Sequence, residues 1–413
     1  MAEIAPFQAL RYDFSRLGGN LSTLIAPPYD VLESTEKDRL LAGNGRNVVA
    51  VDLPHLPPKS TGPPEVYAQA ARRLASWRAD GTLVRERNPA LYLYHQDFSF
   101  AGRRYTRKMF IAGVRLVPFH DGVVLPHEQT FGGPKEDRLA LMKATRCQLS
   151  PIFGLYADPG SVVTQAFART ADTTPDAEGT LEEVRNRLWV VSDGSVIDRV
   201  VQHLRDEKIY IADGHHRYGT ALMYRDWLGE QAGGRLPTEH AANGIMFVLA
   251  SMDDPGCLIL PYYRVLGDID LAGLLEDWRP GIEETSTDRS NLTLWDARTD
   301  RTVSVGFTNR AALRGLEPEA CRPWYDLDYA YLHRYLIDEL LMNRSRREPD
   351  IHYVKSKELA CRTAREVNGV ALLTRATPMA HLRAVSEAGG LMPQKSTYFH
   401  PKLATGMTIY ELA

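Results

Sequence analysis

Four short segments concentrate the residue types that do chemistry. In Lys208–Thr220, KIYIADGHHRYGT, an apolar β-type run (Ile209–Ala212) stops abruptly at Asp213-Gly214-His215-His216-Arg217, and a helical pattern follows. At a strand-to-helix junction the backbone N–H groups and the positive helix end can hold a phosphate. Gly214 lets the backbone turn or approach a ligand closely, and Arg217 can fork onto phosphate oxygens. The plainer alternative is a helix capped by Asp213, with His215 and His216 as polar residues near a turn. A metal bound by the two histidines alone is disfavoured, because adjacent helical residues point about 100° apart.

The second segment, Leu125–Leu141 (LPHEQTFGGPKEDRLAL), sets His127 and Glu128 before a Gly-Gly-Pro turn and Lys135, Glu136, Asp137 and Arg138 after it. Glu128, helped by His127, suits a general base, and Lys135 or Arg138 could neutralise developing negative charge. A surface loop followed by a charged helix start is the other reading, and it is preferred for Glu136 and Asp137. The third segment, Leu391–Gly406, holds Lys395, Ser396 and Thr397. An ammonium beside two hydroxyls resembles a phosphate cradle, although the GxxxxGK[ST] loop is missing; a structural arm is the alternative. In the fourth, IAPPYDV, two prolines lead an extended backbone to Tyr29 and Asp30. Asp30 is read as a turn or cap residue, or as a metal ligand or base. Arg264, after LPYY, carries the same ambiguity.

These segments need a scaffold, and the chain can supply one. Its 413 residues are 44% apolar and 24% charged with a formal net charge of -3, which excludes disorder, collagen and a disulfide scaffold. At roughly 150 residues per domain the length allows two or three domains or one elaborated α/β domain. The near-neutral balance gives no electrostatic footprint for nucleic acid. No run approaches the ~18 apolar residues of a membrane span. Four dispersed cysteines without a CxxC pair, and no signal-like N-terminus, lead to the expectation of a cytoplasmic protein.

Strands are expected at Ala90–Tyr94, Phe110–Leu116, Ile152–Tyr156, Trp189–Val191, Ile209–Ala212, Ile245–Ala250, Val303–Phe307 and Val370–Leu373. Helical spacing marks Glu65–Asp80, Ala272–Trp278, Asp326–Met342 and Ser356–Asn368. Leu53–Pro64 and Thr170–Gly179 read as loops. His333 and Trp77, Trp189 and Trp278 read as core residues, and His55, His203 and His240 as surface ones. The alternation of strands and helices gives an α+β (mixed α/β) class with a mixed sheet.

The boxes IAPPYDV, LPHEQTFGGPKEDRL, PIFGLYAD, YIADGHHRYGTAL and MPQKSTYFHPKLATG, in this order, resemble the domain-of-unknown-function family 1015 of bacteria and archaea. Trp189–Leu222, read as strand, helix, strand, DGHHR turn and helix, is more distantly similar to the ParB/sulfiredoxin-like superfamily. That superfamily includes partition proteins, sulfiredoxin and the ADP-dependent kinase of free serine. The resemblance implies a ParB-like core around 181–250 within a main domain of 1–266. Residues 267–413 would form a C-terminal α/β part whose tail returns to the site. It further implies that Gly214, His215, His216 and Arg217 bind nucleotide phosphates, and that Asp213 helps hold Mg²⁺ or orients the nucleophile. Sulfinic-acid repair is disfavoured, because no cysteine lies in the box, and no basic helix-turn-helix is evident. Two departures stand out: Gly219 where relatives commonly carry Glu, and Tyr263 where they carry His.

The expectation is therefore a phosphotransferase that uses ADP or ATP with Mg²⁺ and acts on a small hydroxylated metabolite. Glu128, Asp213, His215 and His216 would be catalytic. Gly214, Arg217, Lys135, Lys395, Ser396 and Thr397 would hold the nucleotide, and Asp213 and Asp30 the metal. The alternatives are a nucleotide- or metabolite-binding regulator without turnover and a phosphate-releasing hydrolase. Partners would be a nucleotide and a small molecule, without nucleic acid or membrane.

Overall fold

A computed structural model describes residues 2–128 and 132–412. The chain divides into two compact units. The first contains residues 2–126, 132–257 and 401–412; the second contains His127, Glu128 and residues 258–400.

The first unit is built on a nine-stranded sheet. Its strands are β1 (Ile4–Ala5), β2 (Leu91–Phe100), β3 (Arg103–Arg115), β4 (Val124–Leu125), β5 (Ile152–Tyr156), β6 (Ala177–Leu181), β7 (Val184–Val191), β8 (Ile209–Asp213) and β9 (Gly244–Ser251). Their order is β4-β8-β5-β9-β3-β2-β7-β6, with β1 beside β3. The sheet is mixed: β8 runs parallel to β4 and antiparallel to β5, while β9 is parallel to β5. A two-residue turn at Ala101 and Gly102, both at positive φ, joins β2 to β3, the geometry that matches strand twist in a tight hairpin.

The helices of this unit that matter for the site and its core are α1 (Pro64–Ala79), α2 (Gly132–Thr145), α3 (Val162–Ala166), α4 (Ala168–Ala171), α5 (Gly194–Leu204) and α6 (His215–Gln231). Proline opens α1, where its missing N–H costs nothing, and Tyr67, Ala70, Leu74 and Trp77 form its buried stripe. From α6, Tyr218, Ala221 and Tyr224 enter the core formed by Ile211, Phe247 and Leu249. Trp189 is buried in the same core beside Phe110 and Val200.

The second unit carries an antiparallel six-stranded sheet made of β10 (Tyr263–Leu266), β11 (Ile282–Glu284), β12 (Leu292–Asp296), β13 (Thr302–Phe307), β14 (Ile351–Val354) and β15 (Val370–Thr374), in the order β11-β13-β12-β15-β10-β14. The helix Lys357–Glu366 seals Val265 and Ala371 with Ala360 and Ala364.

The mixed α+β class and every expected strand are present, several of them longer than their apolar kernels. Three local readings need correction. Gly132-Gly133-Pro134 is the first turn of α2 and not a turn between elements; Pro134 is tolerated there because first-turn N–H groups have no helical acceptor. The ends of the supposed connector Thr170–Gly179 belong to α4 and β6. The expected helix Asp326–Met342 starts at Asp328 and widens into π register over Tyr331–Arg344, with Leu332, Leu336 and Leu340 all buried.

Gly154 shows how closely this sheet is packed. A Cβ there would sit 2.7 Å from Phe247 and 2.9 Å from Leu249. Gly154→Ala is expected to cost about 1–3 kcal/mol through overpacking, read as a lower urea midpoint with an unchanged m-value; an unchanged midpoint would refute the close packing of β5 on β9.

Candidate functional site

Strand β8 enters the site with a kink. Its register against β5 shifts between Ile211 and Asp213, a bulge that re-aims the strand end. Gly214 follows at φ 102 and forms the N-terminus of α6, where no side chain caps the first turn. The Arg217 guanidinium folds back over this turn, so a Cβ on residue 214 would lie 3.0 Å from Arg217 Nε. Glycine is required here both by the backbone angle and by that close approach.

Asp213 organises the charges. Its Oδ2 accepts a 2.6 Å bond from Lys402 Nζ, and its Oδ1 accepts one at 3.3 Å from Arg217 Nη2. Arg217 also donates through Nη1 to the Pro151 carbonyl. Burial alone would raise the Asp213 carboxyl, but Lys402 and then Arg217 outweigh it and hold the group well below the ordinary range.

Three further cluster members come from other segments. Lys135, on α2, lies across α6 at Gly219, where an added Cβ would be 3.1 Å from its Cε and 3.4 Å from its Nζ. Lys59 Nζ is 3.8 Å from Asp30 Oδ2. The other Asp30 oxygen, Oδ1, is buried and has no hydrogen-bond partner among the described residues. His216 is half-buried and affected by all of them: burial, then Lys135 and Lys59, push its pKa down. His215, one residue earlier, is buried.

Behind this layer sits a second network. The Arg138 guanidinium is buried, donates to Asp137 (2.8 Å) and to the Asp52 carbonyl (2.6 Å), and lies 3.9 Å from the centre of the Tyr29 ring. Asp137 accepts from the Tyr67 hydroxyl at 2.7 Å, and Asp52 from Ser150 at 2.7 Å. Burial pushes the Asp52 carboxyl up, against the pull of Arg138. Between Asp52, Arg138, Ser150, Arg217 and Thr220 lies a cavity of about 40 Å³, the scale of one or two waters.

Asp30, Lys135, Asp213, Gly214, His215, His216 and Arg217 thus all belong to the first unit, within one charged cluster. Glu128, Lys395, Ser396 and Thr397 belong to the second. There Ser396 donates to the Pro393 carbonyl at 2.5 Å, and Thr397 is 3.0 Å from His127 Nε2. Lys395, at φ 56, places its Nζ 5.3 Å from the Tyr262 ring centre. The surface reading of Asp137 is wrong: it is buried between Tyr67 and Arg138. Arg138, expected to face developing charge, is committed to Asp137 and Asp52. Sequence reasoning missed Lys402 and Lys59. Lys402 stands in the C-terminal box, within HPK, which was the available signal; Lys59 sits in a proline-rich loop and gave none.

Comparison with known families now places the chain. The profile described as "Protein of unknown function (DUF1015)" matches residues 4–312. The chain belongs to this family. A search of curated proteins returned no match. Among solved structures, the chain is similar to a conserved hypothetical protein from Pyrococcus furiosus at 13% identity and a TM-score of 0.33, covering 69% of this chain and 92% of that one. A free serine kinase variant in complex with ADP matches at 13% identity and a TM-score of 0.35, covering 70% and 91%. SbnI with a C-terminal truncation, from Staphylococcus aureus, matches at 10% identity and a TM-score of 0.37, covering 73% and 87%. Among the described residues no helix is long and apolar enough to cross a membrane, and no group of three or more His, Cys, Asp or Glu could hold a metal ion.

The Arg138 network gives a direct stability prediction. Arg138→Leu leaves Asp137 and Asp52 buried without their cation and is expected to cost about 3–5 kcal/mol in urea unfolding. A loss below about 1 kcal/mol, the range of exposed pairs, would show that the network is not sealed from solvent.

Proposed function

We propose that the DUF1015 chain binds the phosphates of a nucleotide at the Gly214 turn and transfers a phosphoryl group to a small hydroxylated metabolite. The observation that carries this reading is the charge balance of the cluster. Lys59, Lys135, Arg217 and Lys402 converge on the start of α6 from separate segments, against Asp30 and Asp213 at the turn and Asp52 behind Arg217. Such a surplus beside uncapped first-turn amides suits a multiply charged anion, and phosphoryl transfer depends mainly on positioning and charge neutralisation.

Within this reading Arg217 and Lys402 face the anion while Asp213 fixes their positions. Lys135, given room by Gly219, addresses the transferred group. His216, whose pKa is pushed down by burial, Lys135 and Lys59, accepts the proton of the attacking hydroxyl. Both oxygens of Asp213 are bonded to cations, so Asp30, with its unpartnered Oδ1, is the carboxylate that fits Mg²⁺. Mg²⁺ commonly takes only one or two protein carboxylates besides phosphate and water, and when bound it would neutralise phosphate charge.

One observation favours the second reading, a nucleotide-binding regulator without turnover. Position 219 carries no carboxylate, and the Lys135 stem lies over it.

ATP or ADP with Mg²⁺ is expected to raise the melting temperature in a concentration-dependent way. Arg217→Ala and, separately, Lys135→Ala should weaken that binding about 10- to 100-fold, the loss of one charge-assisted contact. Phosphorus NMR with a pool of hydroxylated metabolites should show a new phosphomonoester, and its absence despite binding selects the regulator. Unchanged nucleotide binding in both variants would refute the site. A bound phosphate should also oppose the repulsion from Lys135 and Lys59 and move the His216 NMR titration upward; a titration indifferent to saturating ADP would contradict its placement beside the anion.

A further inference from the structure

The first unit holds a second feature, which the proposed function does not use. A cavity of about 170 Å³ lies beneath α3 and α4, lined by Leu93, His95, Phe110, Tyr156, Thr164 and Phe167, with Lys108 and Asp172 also contributing. His95 is the unexpected residue in this lining. It follows Leu91 and Leu93 on the same face of β2, where the alternation calls for an apolar side chain. It is only 5% exposed, yet no hydrogen bond to its ring exists among the described residues; its contact is an edge-on packing against Trp189 at 5.1 Å. The hydroxyls of Tyr156, 3% exposed, and of the half-buried Thr164 likewise have no protein partner among the described residues. Three groups able to hydrogen-bond, none with a protein partner among the described residues, thus line one cavity and are open to a molecule inside it.

We propose that this cavity is a binding site for a neutral, single-ring phenolic or heteroaromatic molecule. Size sets the first limit, since an engineered apolar cavity of about 150 Å³ holds one benzene. The walls set the second. Phe110 packs against Phe167 at 5.5 Å and against Tyr156 at 6.1 Å, so a bound ring joins an existing set of tilted and edge-on contacts. The polar groups set the third: an imidazole and two hydroxyls both donate and accept, which fits a ligand hydroxyl or ring nitrogen. Burial, then Arg187 and Lys108, lower the His95 pKa to about 4, against the weaker pull of Asp97, so the ring is uncharged at neutral pH. The two ionic residues of the lining, Lys108 and Asp172, are exposed and of opposite sign, so no net charge is offered to an ionic ligand.

The test uses the full chain and ligand-observed NMR titrations with phenol, uracil, benzene and benzoate. Phenol or uracil is expected to bind saturably, about tenfold more tightly than benzene or benzoate. Thr164→Val and His95→Phe, which keep the shape and remove hydrogen-bonding groups, should each erase most of that preference while benzene binding persists. Ala171→Phe, which fills the cavity, should abolish all binding. The proposal is overturned if neither phenol nor uracil saturates, if benzoate binds as well as phenol, or if Ala171→Phe leaves binding intact. Two conservative variants keep the result readable should one fail to fold.

Discussion

Everything at the charged cluster depends on one carboxylate held between two cations. Asp213 ends the bulged strand β8, and its two oxygens are occupied by Lys402 and Arg217. This arrangement fixes residues that are 189 positions apart in sequence. It also keeps Arg217 folded over Gly214, with the Pro151 carbonyl as its second anchor. An ion pair taken out of water gains little net stability, because desolvation offsets the attraction. Its value here is positional: it leaves the guanidinium and the ammonium facing one turn.

The layer behind has a different task. Arg138 is held by Asp137, Asp52 and the face of Tyr29, so its charge is matched inside the protein and adds little to the field felt by an anion. It ties α2 to the helical turn Val49–Asp52, and α2 is the element that carries Lys135. Two charged sets therefore sit close together with opposite roles. One, a single guanidinium between two carboxylates, is structural; the other has more cations than carboxylates. Surplus charge in a partly desolvated site raises the local concentration of counter-ions and strengthens their binding.

The sequence exposes the scaffold more readily than the charges. Ile152–Tyr156 and Ile209–Ala212 are continuous apolar runs and read directly as buried strands. The second half of β2, with His95, Gln96 and Asp97, does not, because its polar residues interrupt the apolar pattern of a strand that is covered on both faces. The DGHHR junction is legible, since a glycine set between an apolar run and a helical pattern marks the turn from strand to helix. Asp137 and Glu136 look alike in sequence, and only the tertiary position of Tyr67 separates the buried acid from the exposed one. Lys59 and Lys402 draw their meaning from partners far along the chain, which no local pattern can encode. Gly-Gly-Pro reads as a turn by composition, whereas the first turn of a helix tolerates the same residues.

The central claim is that the surplus around Asp213 and Gly214 binds a phosphate-bearing anion. Its most direct test is calorimetric titration of the full chain with inorganic pyrophosphate, comparing the native protein with Lys402→Met. Removing that ammonium both withdraws a cation and leaves Asp213 less neutralised, so the affinity is expected to fall about tenfold or more. Equal affinity in the two proteins, with both folded, would contradict the account.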